Sequence, residues 1–149
     1  MLPHAIASKL PFWQDPQGSL ALAFEQVDST CAVFFALWDN AGENQLEQIG
    51  KITFADCWAI STLRTEFLPY TPEPHPFTSY LLEVPDSAWL AAVTQQRLQT
   101  YASWKIWDKR PYKHYAVQGA NGYVEVIATY FTAGLASPAE SERYAFLKE

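Results

Sequence analysis

The chain has 149 residues, of which 49% are hydrophobic and only 17% are charged. This length suits one domain with a sizeable core, and so few charges exclude an intrinsically disordered chain. The net charge of −6 and the pI near 5.0 repel phosphate backbones, which argues against a dedicated nucleic-acid binder.

Features that would place the chain outside the cytoplasm are missing from the sequence. The first nine residues lack the charged and apolar regions of a signal peptide, and no apolar run reaches the ~20 residues of a membrane span. Cys31 and Cys57 are too few for a disulfide framework and lie in apolar runs, which predicts two buried free thiols. We therefore expect one soluble, cytoplasmic domain over residues 1–149.

The first half of the chain predicts mainly strands. Residues 1–18 contain three prolines and predict an irregular lead-in, after which the alternation of Leu20, Leu22 and Phe24 predicts a half-buried strand. The continuous apolar run at 31–38 is typical of a central strand covered on both faces, and a further strand is expected at 49–54. Residues 56–67 fit either a strand or a short helix capped by Asp56.

A proline-rich strap follows at residues 69–77. Four prolines in eight positions exclude a helix and favour extended, polyproline-like backbone. The strap is interpreted either as a stiff loop crossing a sheet edge or as a docking segment, in which His75 and Phe77 are candidate binding residues.

The second half begins with a strand at 79–84 and a helix near 86–103. Asp86 or Ser87 is the expected N-cap, and Trp89, Leu90, Val93 and Leu98 form the expected core-facing stripe. At the C-terminus, Ser137, Pro138 and Glu140 form the pattern of a capping box and predict a short helix over residues 137–149.

The clearest local pattern is a hairpin between residues 112 and 131. Asn121-Gly122 predicts a type I′ turn. The pairing places His114 and Glu125 on the more polar face, although not directly opposite each other. They are candidates for a general acid–base pair, but the favoured interpretation is a solvated hairpin face with a Gln–Glu or Glu–His hydrogen bond, because one His and one Glu on a strand pair are a common arrangement.

Other catalytic or cofactor-binding patterns do not occur. His4, His75 and His114 are far apart and lack metal-site spacing, and no nucleotide-binding loop is present. We therefore predict neither a metal nor a cofactor. Cys57 has neighbours typical of a core rather than of a nucleophile's surroundings.

The most distinctive segment is residues 104–115, which interleaves aromatic and basic side chains. This pattern is used to stack nucleic-acid bases or to clamp an anionic ligand. Alternatively, the tryptophans pack on the sheet, or the acidic N-terminal half neutralises the bases. The candidate binding residues here are Trp104, Trp107, Lys109, Arg110 and Tyr112.

Together these patterns predict an α+β domain: a mostly antiparallel, twisted sheet of about five to seven strands, with one main helix on a face and a short C-terminal helix. The other face of the sheet is expected to be partly open. The leading functional hypothesis is a non-enzymatic protein-binding module that uses the aromatic-basic segment and the strap, because aromatic residues are abundant. The alternatives are a small-molecule-binding protein or small enzyme with a pocket on the open face, and, less favoured, a single-stranded nucleic-acid binder.

Overall fold

The computed structural model describes residues 2–65, 69–73 and 80–148. Within them the chain is a mixed, sheet-rich fold. The strands are β1 (His4–Ala7), β2 (Trp13–Gln14), β3 (Ala21–Glu25), β4 (Thr30–Trp38), β5 (Gln45–Ala55), β6 (Ala59–Leu63), β7 (Thr71–Glu73), β8 (Leu81–Glu83), β9 (Lys113–Gly119), β10 (Gly122–Ala128) and β11 (Tyr130–Leu135). The helices are α1 (Ala88–Thr100), α2 (Trp104–Trp107) and α3 (Pro138–Arg143), and a 3₁₀ turn follows at Ala145–Lys148.

The strands form two sheets, where the sequence predicted one. The first has the order β6-β10-β9-β8-β1-β7, and the second has β11-β5-β4-β2, with β3 also paired to β4. Pairing is antiparallel except between β1 and β7. The apolar faces of the two sheets pack on each other, and Val33, Phe54, Tyr115 and Val126 are part of this shared core. The expected antiparallel character is confirmed, and the expected number of strands is too low.

One bent ribbon joins the two sheets. Its strands cross from one sheet to the other at Asp56 and at Thr129. The Thr129 amide donates to the Ala55 carbonyl at 3.0 Å, and the Trp58 amide donates to the Ile127 carbonyl at 2.8 Å. Asp56 has a φ of 50° and accepts from the Thr129 hydroxyl at 2.8 Å, so it is a bend residue rather than a helix cap. The open choice for residues 56–67 is therefore resolved in favour of a strand, β6, over residues 59–63, and residues 66 and 67 lie outside the described part of the chain.

Strand β4 is the central strand that its apolar run predicted. Its odd-numbered residues, such as Val33 and Phe35, face the core between the sheets. Phe34 faces the other way, where the ring of Tyr144 stacks on it at a centroid distance of 4.3 Å. The C-terminal segment thus covers part of the second sheet's outer face. The capping box of α3 is confirmed, since Ser137 Oγ accepts from the Glu140 amide and the Glu140 carboxylate accepts from the Ser137 amide.

Two local expectations, the irregular lead-in and the type of the hairpin turn, are wrong. The lead-in contains strands β1 and β2. The expected half-buried strand is present as β3, in which the small residues Ala21 and Ala23 pack against the Phe34 cluster while Phe24 is exposed. The hairpin turn is not type I′, since Asn121 is not among the described residues with positive φ.

The glycine after Asn121 has a different purpose. Gly122 pairs with Gly119 across the hairpin, so the loop consists of two residues, 120 and 121. A Cβ on Gly122 would lie 2.6 Å from the Leu63 carbonyl oxygen. The glycine therefore permits the close approach of β6 and is not needed for a left-handed turn.

Helix α1 lies on the outer face of the first sheet. Ser87 caps it by accepting from the Leu90 amide at 2.9 Å, and the helix ends at Thr100, three residues earlier than predicted. Trp89 packs edge-on against the His114 ring at a centroid distance of 5.1 Å. Of the described helices, none is long and apolar enough to cross a bilayer.

Candidate functional site

A cleft of about 690 Å³ lies between the second half of α1, the start of β6 and the aromatic-basic segment. Its volume is within the usual range of ligand pockets. The lining residues are Ser29, Asp56, Cys57, Trp58, Ala59, Val93, Gln96, Arg97, Thr100, Tyr101, Trp107, Asp108, Arg110 and Tyr112. Segments that are distant in sequence thus meet at one surface feature.

Arg97 organises the wall of this cleft. Its guanidinium carbon lies 4.2 Å from the ring centroid of Trp104 and 4.9 Å from those of Trp58 and Trp107. Cations are attracted to the faces of indole rings at such distances. The Arg97 side chain also donates to the Asp108 carboxylate at 2.9 Å, so it is held from both sides.

Asp108 is the buried counter-charge of the cleft, and only 3% of its surface is exposed. Its carboxylate accepts hydrogen bonds from Arg97, from the Tyr112 hydroxyl at 2.8 Å and from the Arg110 amide and side chain, each at 3.2 Å. Burial raises the pKa of Asp108, but these hydrogen bonds and the charge of Arg97 outweigh burial and leave the pKa below its ordinary value. The carboxylate therefore stays ionised and holds both arginines in place.

The binding residues predicted from the aromatic-basic segment take different places. Trp107, Arg110 and Tyr112 line the cleft, whereas Trp104 is buried behind Arg97 as part of the scaffold. Lys109 is exposed and is not a lining residue. His75 and Phe77 lie outside the described residues.

The charges of the cleft are balanced. Arg110 lies 3.4 Å from Asp56 and 3.2 Å from Asp108, so the two lining arginines are matched by two lining carboxylates. Asp56 belongs to the acidic N-terminal part of the sequence. For Arg110 this contact matches the alternative in which the acidic N-terminal half neutralises the basic segment.

The rim of the cleft is apolar and open to solvent. Two lining residues, Tyr101 and Trp107, are 63% and 64% exposed, and Ile106, the chain neighbour of Trp107, is 74% exposed. Single exposed apolar side chains are common, but a contiguous group of them is typical of an interaction site. The rim is therefore a candidate contact surface.

The thiol of Cys57, which lines the cleft, interacts with the thiol of Cys31. Both are free, as expected, but only Cys31 is buried, because Cys57 lines the cleft. A hydrogen bond between the two thiols, together with burial, raises the pKa of Cys31. The same hydrogen bond lowers the pKa of Cys57 and outweighs the opposite effect of burial.

A second polar cluster lies under the start of α1. His114, which is only 2% exposed, has its Nδ1 atom 2.6 Å from Ser87 Oγ and its Nε2 atom 2.8 Å from Glu125 Oε1. The Tyr70 hydroxyl donates to the same carboxylate oxygen. The alternative of a solvated hairpin face is therefore wrong for His114, because α1 covers it.

The hydrogen bonds determine the proton positions in this cluster. Burial raises the pKa of Glu125, but the hydrogen bonds from His114 and Tyr70 outweigh burial and keep the pKa below its ordinary value of 4.5. An ionised carboxylate only accepts, so Nε2 carries the proton that it donates to Glu125. In the neutral ring, Nδ1 is then the acceptor for the Ser87 hydroxyl.

Several residues of the cleft and of the His114 cluster were not identified from the sequence. Ser87 was recognised only as a helix cap, Tyr70 only as part of the strap, and Arg97 and Asp108 carried no recognisable pattern. Their roles depend on contacts between segments that are distant along the chain. Three of the binding residues predicted from the aromatic-basic composition, Trp107, Arg110 and Tyr112, line the cleft.

No protein-family model matches the chain, and neither does any curated protein or solved structure. In residues 2–65, 69–73 and 80–148, no group of three or more His, Cys, Asp and Glu side chains is arranged to hold a metal ion.

Proposed function

We propose that the chain is an interaction domain that binds a protein partner through the cleft beside α1. The observation that carries this proposal is the exposed rim of Tyr101, Ile106 and Trp107 next to two fixed arginines. Tryptophan, tyrosine and arginine are the residue types most enriched among binding hot spots. Their grouping around one concave feature supports a contact surface better than scattered exposure does.

The electrostatics of the cleft favour a protein partner over a nucleic acid. Arg97 and Arg110 already pair with Asp108 and Asp56, so they offer no surplus positive charge to a phosphate backbone. A peptide segment needs no such surplus, since it inserts an apolar side chain against Trp107 and bonds through its amides. A polar cleft with aromatic walls suits this kind of ligand.

The proline-rich strap is left out of the proposed surface. Its described part, β7, forms one edge of the first sheet, and β6, beside which the cleft opens, forms the opposite edge. His75 and Phe77 stay predictions from the sequence.

A small molecule is the second candidate ligand, because the cleft volume of about 690 Å³ also fits one. The two candidates differ in the area that binding covers. A small molecule fills the cleft and leaves Ile106 outside, whereas a protein covers the rim. Ile106→Ala is therefore expected to weaken the binding of a protein partner and to leave the affinity for a small ligand unchanged.

The test compares Trp107→Ala with Phe146→Ala, a matched control at the C-terminus whose ring is 59% exposed. A partner is first captured on the wild type and identified, and its affinity for both variants is then measured by calorimetry. We expect a loss of at least about 30-fold for Trp107→Ala, the size of a typical hot spot, and no more than about twofold for Phe146→Ala. Equal binding by both variants would contradict the proposal.

A further inference from the structure

Ser87 occupies a sharp junction between a strand and a helix. Strand β8 ends at Glu83, the chain turns at Asp86, which has a φ of 50°, and α1 begins directly after Ser87. Positive φ at a residue other than glycine is uncommon and is often found at functional sites. Pro85, Asp86 and Ala88 are exposed, so solvent reaches this junction.

The serine hydroxyl has a base in direct contact. Ser87 Oγ lies 2.6 Å from His114 Nδ1, within the range that separates a nucleophile from its general base. On the other side of the ring, Nε2 lies 2.8 Å from Glu125 Oε1. The ring is fixed between them by edge-on contacts with Tyr70 and Trp89.

This order of groups is that of a nucleophile, a base and a carboxylate that orients the base. The serine contacts Nδ1 and the carboxylate contacts Nε2, and either ring nitrogen can accept a proton. Oγ also accepts from the Leu90 amide at 2.9 Å, which stabilises negative charge on that oxygen. The amides of Ala88 and Trp89, in the first turn of α1, have no intrahelical acceptor and are the donors available for a developing oxyanion.

We propose that Ser87, His114 and Glu125 form a nucleophilic site that hydrolyses small activated esters through an acyl-serine intermediate, at a position separate from the cleft. Ser87 and His114 are the catalytic residues, and Glu125 is a positioning residue because it acts through the imidazole. This activity goes beyond partner binding and does not depend on it.

The reaction balances with water as the only co-reactant. Ser87 Oγ attacks the acyl carbon of the ester while the hydroxyl proton moves to His114 Nδ1. The bond between the acyl carbon and the leaving oxygen breaks, and the proton passes from Nδ1 to that oxygen to release an alcohol. Water then attacks the acyl-serine and transfers a proton to Nδ1, the bond to Oγ breaks, and the proton returns to Oγ. One ester and one water give one carboxylic acid and one alcohol.

The chain contains a matched control serine. Ser137 also caps a helix and accepts from a helix amide, that of Glu140 at 3.2 Å, but its contacts are with Glu140 rather than with a histidine. Asparagine caps helices about as well as serine does and has no nucleophilic oxygen. Ser87→Asn and Ser137→Asn therefore test nucleophilicity at equal capping, once circular dichroism has shown that both variants are folded.

The experiment treats the full chain with a fluorophosphonate and maps the adduct by peptide mass spectrometry. We expect the adduct on Ser87 and not on Ser137, no labelling of Ser87→Asn above background, and normal labelling of Ser137→Asn. In Glu125→Gln, kcat for p-nitrophenyl acetate falls by at least about 100-fold while KM is unchanged, since Glu125 does not touch the substrate.

Two results would overturn the proposal. One is a wild type that labels no faster at Ser87 than at Ser137. The other is an ester hydrolysis rate that survives in folded Ser87→Asn. Neither result tests the proposed binding of a partner at the cleft. That proposal is tested separately with Trp107→Ala, and Trp107 is outside the Ser87 site.

Discussion

His114 and Glu125 contact each other diagonally across the hairpin. The register pairs His114 with Ile127 and Glu125 with Ala116, yet Nε2 and Oε1 are 2.8 Å apart. Diagonal neighbours two residues out of register are within reach of long side chains on the same face. The contact converts two ordinary strand residues into a buried, charge-assisted hydrogen bond.

This contact predicts an acid-sensitive contribution to stability. The pKa of Glu125 is lower in the folded protein than its ordinary value of 4.5, so its contribution is present above pH 4.5 and is lost as the pH falls through the folded pKa. Glu125→Gln should therefore be less stable than the wild type at pH 7, and the difference should shrink below pH 4.5. Urea unfolding between pH 7 and pH 3 measures it. Glu47→Gln, at an exposed carboxylate of β5, is the control and should follow the wild-type curve.

Two carboxylates that share Arg110 should differ strongly in their effect on stability. Asp108 is buried and accepts from Arg97, Arg110 and Tyr112, while the Asp56 side chain is 40% exposed. Removing one partner of a buried ion pair leaves uncompensated charge, so Asp108→Asn should lower the free energy of unfolding by about 2–4 kcal/mol. Asp56→Asn should cost less than about 1 kcal/mol. Equal effects in urea titrations would contradict the buried role of Asp108.

The strands could be predicted in detail only where the sequence pattern was compatible with a single arrangement. The run at 31–38 is apolar at every position, so a strand there had to be covered on both faces. In β3 the alternation indicates two faces but not which of them is buried. Packing beneath the C-terminal segment selects Ala21 and Ala23, and that segment lies more than a hundred residues away in sequence.

The candidate sites were predictable only in part, for the same physical reason. The hairpin register alone places His114 and Glu125 on one face, and the structure confirms that pairing. Ser87 joins them from 27 residues away, through the position that α1 takes on the sheet. Arg97 similarly enters the cleft by tertiary packing against Trp104, and no local spacing indicates it.

Two glycines provide a test of close packing. A Cβ on Gly122 would lie 2.6 Å from the Leu63 carbonyl oxygen, whereas a Cβ on Gly134 would meet no atom within 4 Å. Gly122→Ala should therefore destabilise the fold by about 1–3 kcal/mol, because the contact is with backbone that cannot turn away. Gly134→Ala should leave the melting temperature unchanged or slightly raised. Thermal unfolding of both variants, monitored by circular dichroism, measures these two effects.

The two thiols should react at different rates. Cys57 lines the cleft and has a lowered pKa, whereas Cys31 is buried and has a raised pKa. Because the thiolate is the reactive species, one equivalent of iodoacetamide should modify Cys57 and spare Cys31 in the folded protein. Peptide mass spectrometry locates the adduct. As a control, Cys57→Ser should abolish the fast reaction. Preferential modification of Cys31 would contradict the prediction that Cys57 is the accessible thiol.

The bent ribbon that crosses at Asp56 and Thr129 ties the two sheets into one cooperative unit. Strands β5 and β11 belong to one sheet, and their continuations β6 and β10 belong to the other. Loss of hydrogen bonds in one sheet is therefore expected to weaken the strand pairing in the other. In hydrogen-exchange terms, the amides of Trp58 and Thr129, whose bonds close the bend, should exchange only when the whole protein opens. The bend thus makes both halves of the core share one unfolding transition.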